Sequence, residues 1–236
     1  MLALIGALDE EVEMLRADMD VSDEAIHAGI TVTKGTYRDV ALVLAKCGVG
    51  KVNAAICAQM LMDLYQPSAV AFSGVAGGLV RNMAVGDIVI ASHLIQFDVD
   101  LTAFGRRHGE LPDSNRIIES DPELVRIAGE AYDRAFPDTA DAPGLMIGTV
   151  VSGDKFVKGS ETLRWLQREF SALATEMEGA AVGYTCGLSN VPFVVIRGIS
   201  DGAGETAHTD FKDNLHKVCQ NSYRILEEFV RLYGAL

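Results

Sequence analysis

The sequence has no run of lysines or arginines, and 33 acidic against 20 basic residues leave a formal charge of −13. That balance argues against a nucleic-acid backbone or an anionic membrane surface as the main partner. No apolar stretch reaches the length of a membrane span. Cysteine is scarce, and Cys47, Cys57, Cys186 and Cys219 show no paired spacing. This excludes a zinc ribbon or a disulfide framework and suits a reducing cytosol. The five histidines form no metal-like pair, so no metal is called for, and no cofactor is expected. Met1 to Ala7 is apolar but short and has no basic leader, so a signal peptide is not expected. Internal repeats, linkers and low-complexity segments are also missing. Together these absences predict a cytoplasmic protein with neither nucleic acid nor membrane as partner.

What is present is apolar material. Hydrophobic residues make up 49% and charged residues 22% of the 236, enough for one sizeable core, so one domain over residues 1–236 is expected. Leu2 to Ala7, Ala69 to Ser73 and Pro192 to Ile199 read as buried strands. Ile30 to Tyr37 and Val40 to Cys47 read as a hairpin split by Arg38-Asp39, and Val85 to Ile95 and Leu145 to Val151 as further strands. Helices are expected from Asp9, over Lys51 to Tyr65, from Pro122 to about Phe136, over Ser160 to Phe170, from Thr175, and from about Thr209 to Tyr233. Phe97 to Asn115 reads as loop. The alternation predicts an α/β fold of three layers, a mixed and mostly parallel central sheet flanked by helices.

Four strand ends carry unusual cargo, and in such sheets ligands collect at strand carboxyl ends. The first is Leu8 with Asp9, Glu10 and Glu11: one or two of these acids suit the helix dipole, and the third could be a general base. The second, Gly74-Val75-Ala76-Gly77-Gly78, is either a tight turn or a backbone wall against a ligand. It has no Lys-Ser/Thr of a Walker loop. The third is Ser152-Gly153-Asp154 with Phe156. In the fourth, Arg197 to Asp201, Arg197 and Asp201 could form a salt bridge, or Asp201 could be a general acid kept protonated by burial. Both readings stand on the residues alone. Thr175-Glu176-Met177-Glu178 is a capping box if a helix starts there. On that helix the two acids would lie on nearly opposite faces, so only one could enter a pocket.

With these stretches in order, the chain resembles the purine nucleoside phosphorylase superfamily, and within it the bacterial 5′-methylthioadenosine/S-adenosylhomocysteine nucleosidases. The motifs are Ile5–Glu11, Ser73–Gly78, Asp98–Phe104, Ser152–Val157, Glu176–Gly179 and Arg197–Asp201. The resemblance implies hydrolysis of an N-glycosidic bond with release of adenine. It implies that Asp201 protonates the purine, Ser200 orients Asp201, and Glu11 activates water with Arg197 nearby. Glu178 would grip the ribose hydroxyls and Met177 would pack on the sugar, leaving Glu176 for structure or a secondary contact. Phe156 would stack on the purine, Val157 would read its edge, and Val75, Ala76 and Gly77 would form a wall. Leu8 and Phe211 would line the alkylthio end. A homodimer is implied, with Val49, Leu101, Phe104 and Pro112 expected from the partner subunit. Val75 stands where some members carry serine. Asp9, Glu10 and Glu11 would repel phosphate, which favours water as acceptor over the phosphorylase alternative. Some members also act on 6-amino-6-deoxyfutalosine.

Overall fold

Every residue of strand β1 (Leu2–Gly6) is buried, because helices cover both faces of the sheet it enters. Ala3 and Ile5 join the core on one face, while Leu2 and Leu4 join the core on the other. A strand covered twice must be apolar at every position, and each fully buried leucine contributes roughly 1.5–3 kcal/mol of transfer free energy. In the computed structural model, which describes residues 1–112, 114–137 and 142–236, helices α2 (Lys51–Tyr65) and α5 (Gly179–Leu188) pack on the first face. Helices α1 (Asp9–Asp18), α3 (Pro122–Ala135) and α6 (Ala207–Tyr233) cover the second. Asp121 caps α3, its carboxylate accepting from the Glu123 and Leu124 N–H groups at 3.0 and 2.9 Å, with Pro122 at the first turn. Helix α4 (Ser160–Phe170) closes a smaller cluster around Phe97, Val151 and Val157.

The remaining strands are β2 (Asp20–His27), β3 (Ile30–Tyr37), β4 (Val40–Lys46), β5 (Ala69–Gly78), β6 (Ile88–Gln96), β7 (Ile118–Glu119), β8 (Leu145–Ser152), β9 (Ala174–Glu176) and β10 (Phe193–Asp201). They form one mixed sheet in the order β10-β6-β8-β9-β5-β1-β4-β3-β2, with β7 on β6. Because β10 also pairs with β5, the strands β5, β10, β6, β8 and β9 close into a ring from which β1, β4, β3 and β2 extend. Parallel pairings join β1 to β4 and β5, β10 to β5, and β8 to β6 and β9. The β2–β3–β4 meander is antiparallel and turns at Arg38-Asp39, both in the left-handed region at φ 48° and 65°, as the tightest hairpins require. The register places Gly74 opposite Arg197 and Gly77 opposite Asp201, so two glycines face two side chains of the site.

Three expectations change. The glycine-rich stretch Gly74 to Gly78 is not a turn: β5 continues through it to pair with both β10 and β9. Thr175 does not start a helix. Residues Ala174–Glu176 are a short strand held between β5 and β8, and α5 begins at Gly179 with Glu178 at its N-cap. The sheet pairings on both sides of Thr175 outweigh the local capping pattern. Residues 97–115 contain a single 3-10 turn at Thr102–Phe104, and residue 113 of that expected loop lies outside the described residues.

Candidate functional site

A cavity of about 340 Å³ opens where the ends of β1, β5, β8, β9 and β10 meet. Its lining includes Leu8, Glu11, Val49, Val75, Ala76, Gly77, Phe156, Val157, Glu176, Met177, Glu178, Ser200, Asp201 and Phe211. The six stretches of sequence that carried the resemblance thus contribute five to one cavity. The exception is the Asp98–Phe104 segment: Phe104 is 80% exposed, and Leu101 and Pro112 do not line the cavity either. Val49, expected from a partner subunit, lines the cavity of its own chain, because it directly precedes α2, whose start points into the site.

Glu11 sits in the first turn of α1 and curls back over its own helix start. One carboxylate oxygen accepts from the Ala7 and Leu8 N–H groups at 2.6 and 3.0 Å, and the other from Val75 N–H at 2.9 Å. A carboxylate has about four acceptor positions, so one is left for a ligand. Burial raises the Glu11 pKa above its ordinary value, opposed by Arg197 and by those three N–H groups. Asp9 and Glu10, expected to act with Glu11 against phosphate, do not line the cavity; Asp9 pairs with Lys46 at 2.8 Å. Glu176 and Glu178 line the cavity instead.

Arg197 is fully buried, its guanidinium carbon 4.0 Å from the centre of the Phe72 ring. It donates to Glu176 and stands 3.9 Å from Glu178. No salt bridge links it to Asp201 among the described residues; its acids are Glu176 and Glu178. A Cβ on Gly74 would overlap its Nη1 and lie 2.6 Å from Glu11 Oε1, so only glycine lets the strand run past this pair. Burial disfavours the charge on Arg197, but Glu176, Glu11 and Glu178 more than offset it and the pKa is raised.

Glu176 and Glu178 both line the cavity, against the expectation of opposite faces. Glu176 ends β9 and Glu178 is the N-cap of α5, so the two acids do not sit on one helix, and the bend between strand and helix turns both into the cavity. Glu176 also accepts from Ser152, and from the N–H groups of Glu178 and Gly179 at 3.1 and 2.7 Å. Glu178 accepts from Gly50 N–H, the N-cap of α2, at 2.8 Å. Burial, and then repulsion from Glu176, raises its pKa. Three carboxylates thus surround one guanidinium, and such a surplus of negative potential suits a ligand that develops positive charge.

Asp201 ends β10 and is 3% exposed. Its carboxyl accepts from the Ser200 hydroxyl and the Ala203 N–H, both at 2.8 Å. Burial raises its pKa, with those two donors acting the other way. Nearby, the Phe156 and Phe211 rings meet edge to face with centroids 6.0 Å apart. Lys155, His208 and Lys212, which line the mouth, and Ala7 were not expected at a site, and Thr175 was expected only as a helix cap. His208 and Lys212 lie i, i+4 on α6 beside Phe211, so a helix started two residues earlier than expected would have placed them on the same face.

A cavity at the strand ends of a mixed sheet, lined by acids and aromatic rings, makes this an α/β protein with a site for a small polar ligand, and comparison with known proteins gives the family. The chain belongs to the phosphorylase superfamily, whose family model matches residues 1–231. More narrowly, it is 36% identical over 225 residues to the 5′-methylthioadenosine/S-adenosylhomocysteine nucleosidase of Geobacillus kaustophilus, covering 95% of this chain and 94% of that one. The enzyme of the same name from Bacillus subtilis is 35% identical, with 98% of each chain covered. The crystal structure of the Neisseria meningitidis nucleosidase in complex with methylthio-immucillin-A superposes with a TM-score of 0.92 at 34% identity, covering 98% of each chain. Futalosine hydrolase of Helicobacter pylori superposes with a TM-score of 0.91 at 34% identity, over 98% of this chain and 97% of that one.

Proposed function

We propose that this protein hydrolyses the N-glycosidic bond of 5′-methylthioadenosine and S-adenosylhomocysteine, releasing adenine and the 5-thio-ribose product. The observation that carries the reading is one cavity holding a buried, raised-pKa acid and a separate carboxylate anchored beside an arginine. Asp201 donates its proton to the five-membered ring of the purine, and the bonding pair of the glycosidic bond leaves with adenine. Glu11 takes a proton from water as the water oxygen bonds to the sugar carbon. The sugar is oxocarbenium-like at that moment, and Glu11, Glu176 and Glu178 favour its positive charge. Ser200 holds Asp201, Arg197 holds Glu176 and neighbours Glu11, and Glu178 grips the ribose hydroxyls beside Met177. Phe156 and Val157 receive the purine, Val75, Ala76 and Gly77 form the wall, and Leu8, Val49 and Phe211 receive the alkylthio group. No metal or cofactor enters this chemistry.

Water is the acceptor on this reading, since phosphate would have to lose its hydration beside three carboxylates. Adenine release from methylthioadenosine in phosphate-free buffer is the test; turnover that requires phosphate makes the protein a phosphorylase. The likeness to futalosine hydrolase supports 6-amino-6-deoxyfutalosine as an alternative substrate, to be assayed alongside.

The working form is a homodimer. Val52 and Ile56, one helical turn apart on α2, are 67% and 46% exposed, and Phe104 is 80% exposed, an apolar surface that a second copy would cover. Leu101, Phe104 and Pro112 then complete the partner's site. A monomeric mass by light scattering at assay concentration contradicts this. Residues 1–236 act as one domain, since strands from all along the chain join one sheet. No helix among the described residues is long and apolar enough to cross a membrane, and four free, buried cysteines suit work in the cytoplasm.

A further inference from the structure

The cavity is divided by charge. Glu176, Glu178 and Asp201 in its lining are buried and Glu11 is partly so, whereas the exposed basic side chains at its mouth are Lys155, His208 and Lys212. Among the described residues, none of these three is paired with a carboxylate, although the chain has 33 acidic residues against 20 basic ones. Four acids lie close by in sequence, Asp154, Glu205, Asp210 and Asp213, and none of them lines the cavity. Asp154 accepts from Lys51 N–H at 2.8 Å, and Asp210 from the Thr206 hydroxyl at 2.7 Å. His208 and Lys212 bracket Phe211 on the first turns of α6, and Lys155 precedes Phe156. The edge-to-face pair Phe156–Phe211 thus shares the cavity lining with these basic residues, its neighbours in sequence.

Resting on the nucleosidase reading above, we propose that Lys155 and Lys212, with His208 beside them, form a subsite for a carboxylate at the end of the 5′ substituent. A sugar held by the inner acids sends its tail past Phe211, and the tail then ends among the basic side chains around that ring. S-adenosylhomocysteine, whose zwitterionic tail carries an α-ammonium as well as a carboxylate, gains this attraction with the carboxylate turned toward the lysines and the ammonium toward solvent, and methylthioadenosine, whose tail is a neutral methylthio group, does not. The cations are exposed, so the effect is modest: roughly two- to fivefold for each lysine, as for other exposed charge pairs. It weakens as added salt shortens the screening length.

The test compares kcat/KM for the two nucleosides at low and high salt in the wild type, Lys155→Ala, Lys212→Ala and the double Lys155→Glu/Lys212→Glu variant. The expected result is a ratio of S-adenosylhomocysteine to methylthioadenosine that falls with each lysine removed, falls furthest in the double variant, and depends on salt only while the lysines are present. A ratio that none of these changes moves overturns the subsite. Calorimetric affinities for both nucleosides, measured with the same lysine variants in an Asp201→Asn background, separate the two readings. If the wild type cleaves neither nucleoside yet affinity for S-adenosylhomocysteine still depends on the lysines and on salt, the nucleosidase reading fails and the subsite stands. If both are cleaved and both affinities respond equally to the lysines, the subsite fails and the nucleosidase reading stands.

Discussion

The proton on Asp201 is set by a contest among its neighbours. Burial favours the neutral acid, while the Ser200 hydroxyl and Ala203 N–H favour the anion. On the proposed mechanism, activity needs Asp201 protonated and Glu11 ionised. The rate therefore falls as rising pH removes the Asp201 proton, and also as falling pH protonates Glu11, whose pKa lies above the ordinary 4.5. Ser200→Ala takes away one donor to the carboxylate, so the neutral form gains and the alkaline limb of the kcat/KM profile moves to higher pH. A merely orienting serine would lower kcat and leave the limb in place, so the pH profile of adenine release decides between the two roles.

At the scale of elements, the start of α2 organises one side of the site. Its N-cap is Gly50, which has no side chain to cap with, and the helix takes its acceptors from elsewhere in the fold. Glu178 accepts from Gly50 N–H and Asp154 from Lys51 N–H, both at 2.8 Å, while Asp98 joins Lys51 Nζ at 2.6 Å and Asp154 N–H at 3.0 Å. Carboxylates there satisfy orphan donors and meet the positive end of the dipole. Asp154→Ala is expected to destabilise the protein by about 0.5–2 kcal/mol, or roughly 2–4 °C in Tm for each kcal/mol in a chain of this size. Asp154→Asn, which keeps an acceptor, recovers part of the loss, and an unchanged Tm in the alanine variant refutes the capping role. No local pattern announced this cap, because its parts come from residues about a hundred positions apart. Elements covered on both faces, such as Leu2–Gly6 and the Phe193–Ile196 part of β10, were legible because burial leaves an unbroken apolar run. Strand β2 was not: its sequence Asp20–His27 lies exposed at the sheet edge and carries no such run. Strand β9 was misread because Thr175 and Glu178 imitate a capping box, while the pairings of Thr175 with Gly77 and Val151 are invisible locally. The positions of Glu11 and Asp201 at strand ends were legible. The capture of Arg197 by Glu176 was not, because it depends on β9 being extended.

Across the whole molecule, carboxylates fall into two populations with opposite effects on stability. Surface acids Glu24, Asp100, Glu110, Glu123 and Glu130 have lowered pKa values from hydrogen bonds to nearby side chains and N–H groups. Their stabilisation is present above the unfolded values and is lost as pH falls through the lowered ones. The cavity acids Glu11, Glu178 and Asp201 have raised values, chiefly from burial. The native state then binds more protons than the unfolded chain, so between the ordinary and the raised values stability falls as pH increases. These three acids therefore favour the ligand-free fold in mildly acidic solution and oppose it at neutral pH. Glu178→Gln tests this directly. The amide oxygen still accepts from Gly50 N–H, but the desolvated charge and its repulsion with Glu176 are gone. Tm of the ligand-free variant should exceed that of the wild type at about pH 8, with the gain shrinking toward about pH 5, where Glu178 is already protonated in the native state. The same change should lower kcat/KM, since a neutral amide neither grips two ribose hydroxyls as an acceptor nor favours positive charge on the sugar. A variant less stable than wild type at both pH values would show that Glu178 supports the fold through its ion pair with Arg197. A variant that is more stable but slower would show that the site keeps a surplus of negative charge at the expense of the empty protein, because that charge is needed when the sugar becomes positive.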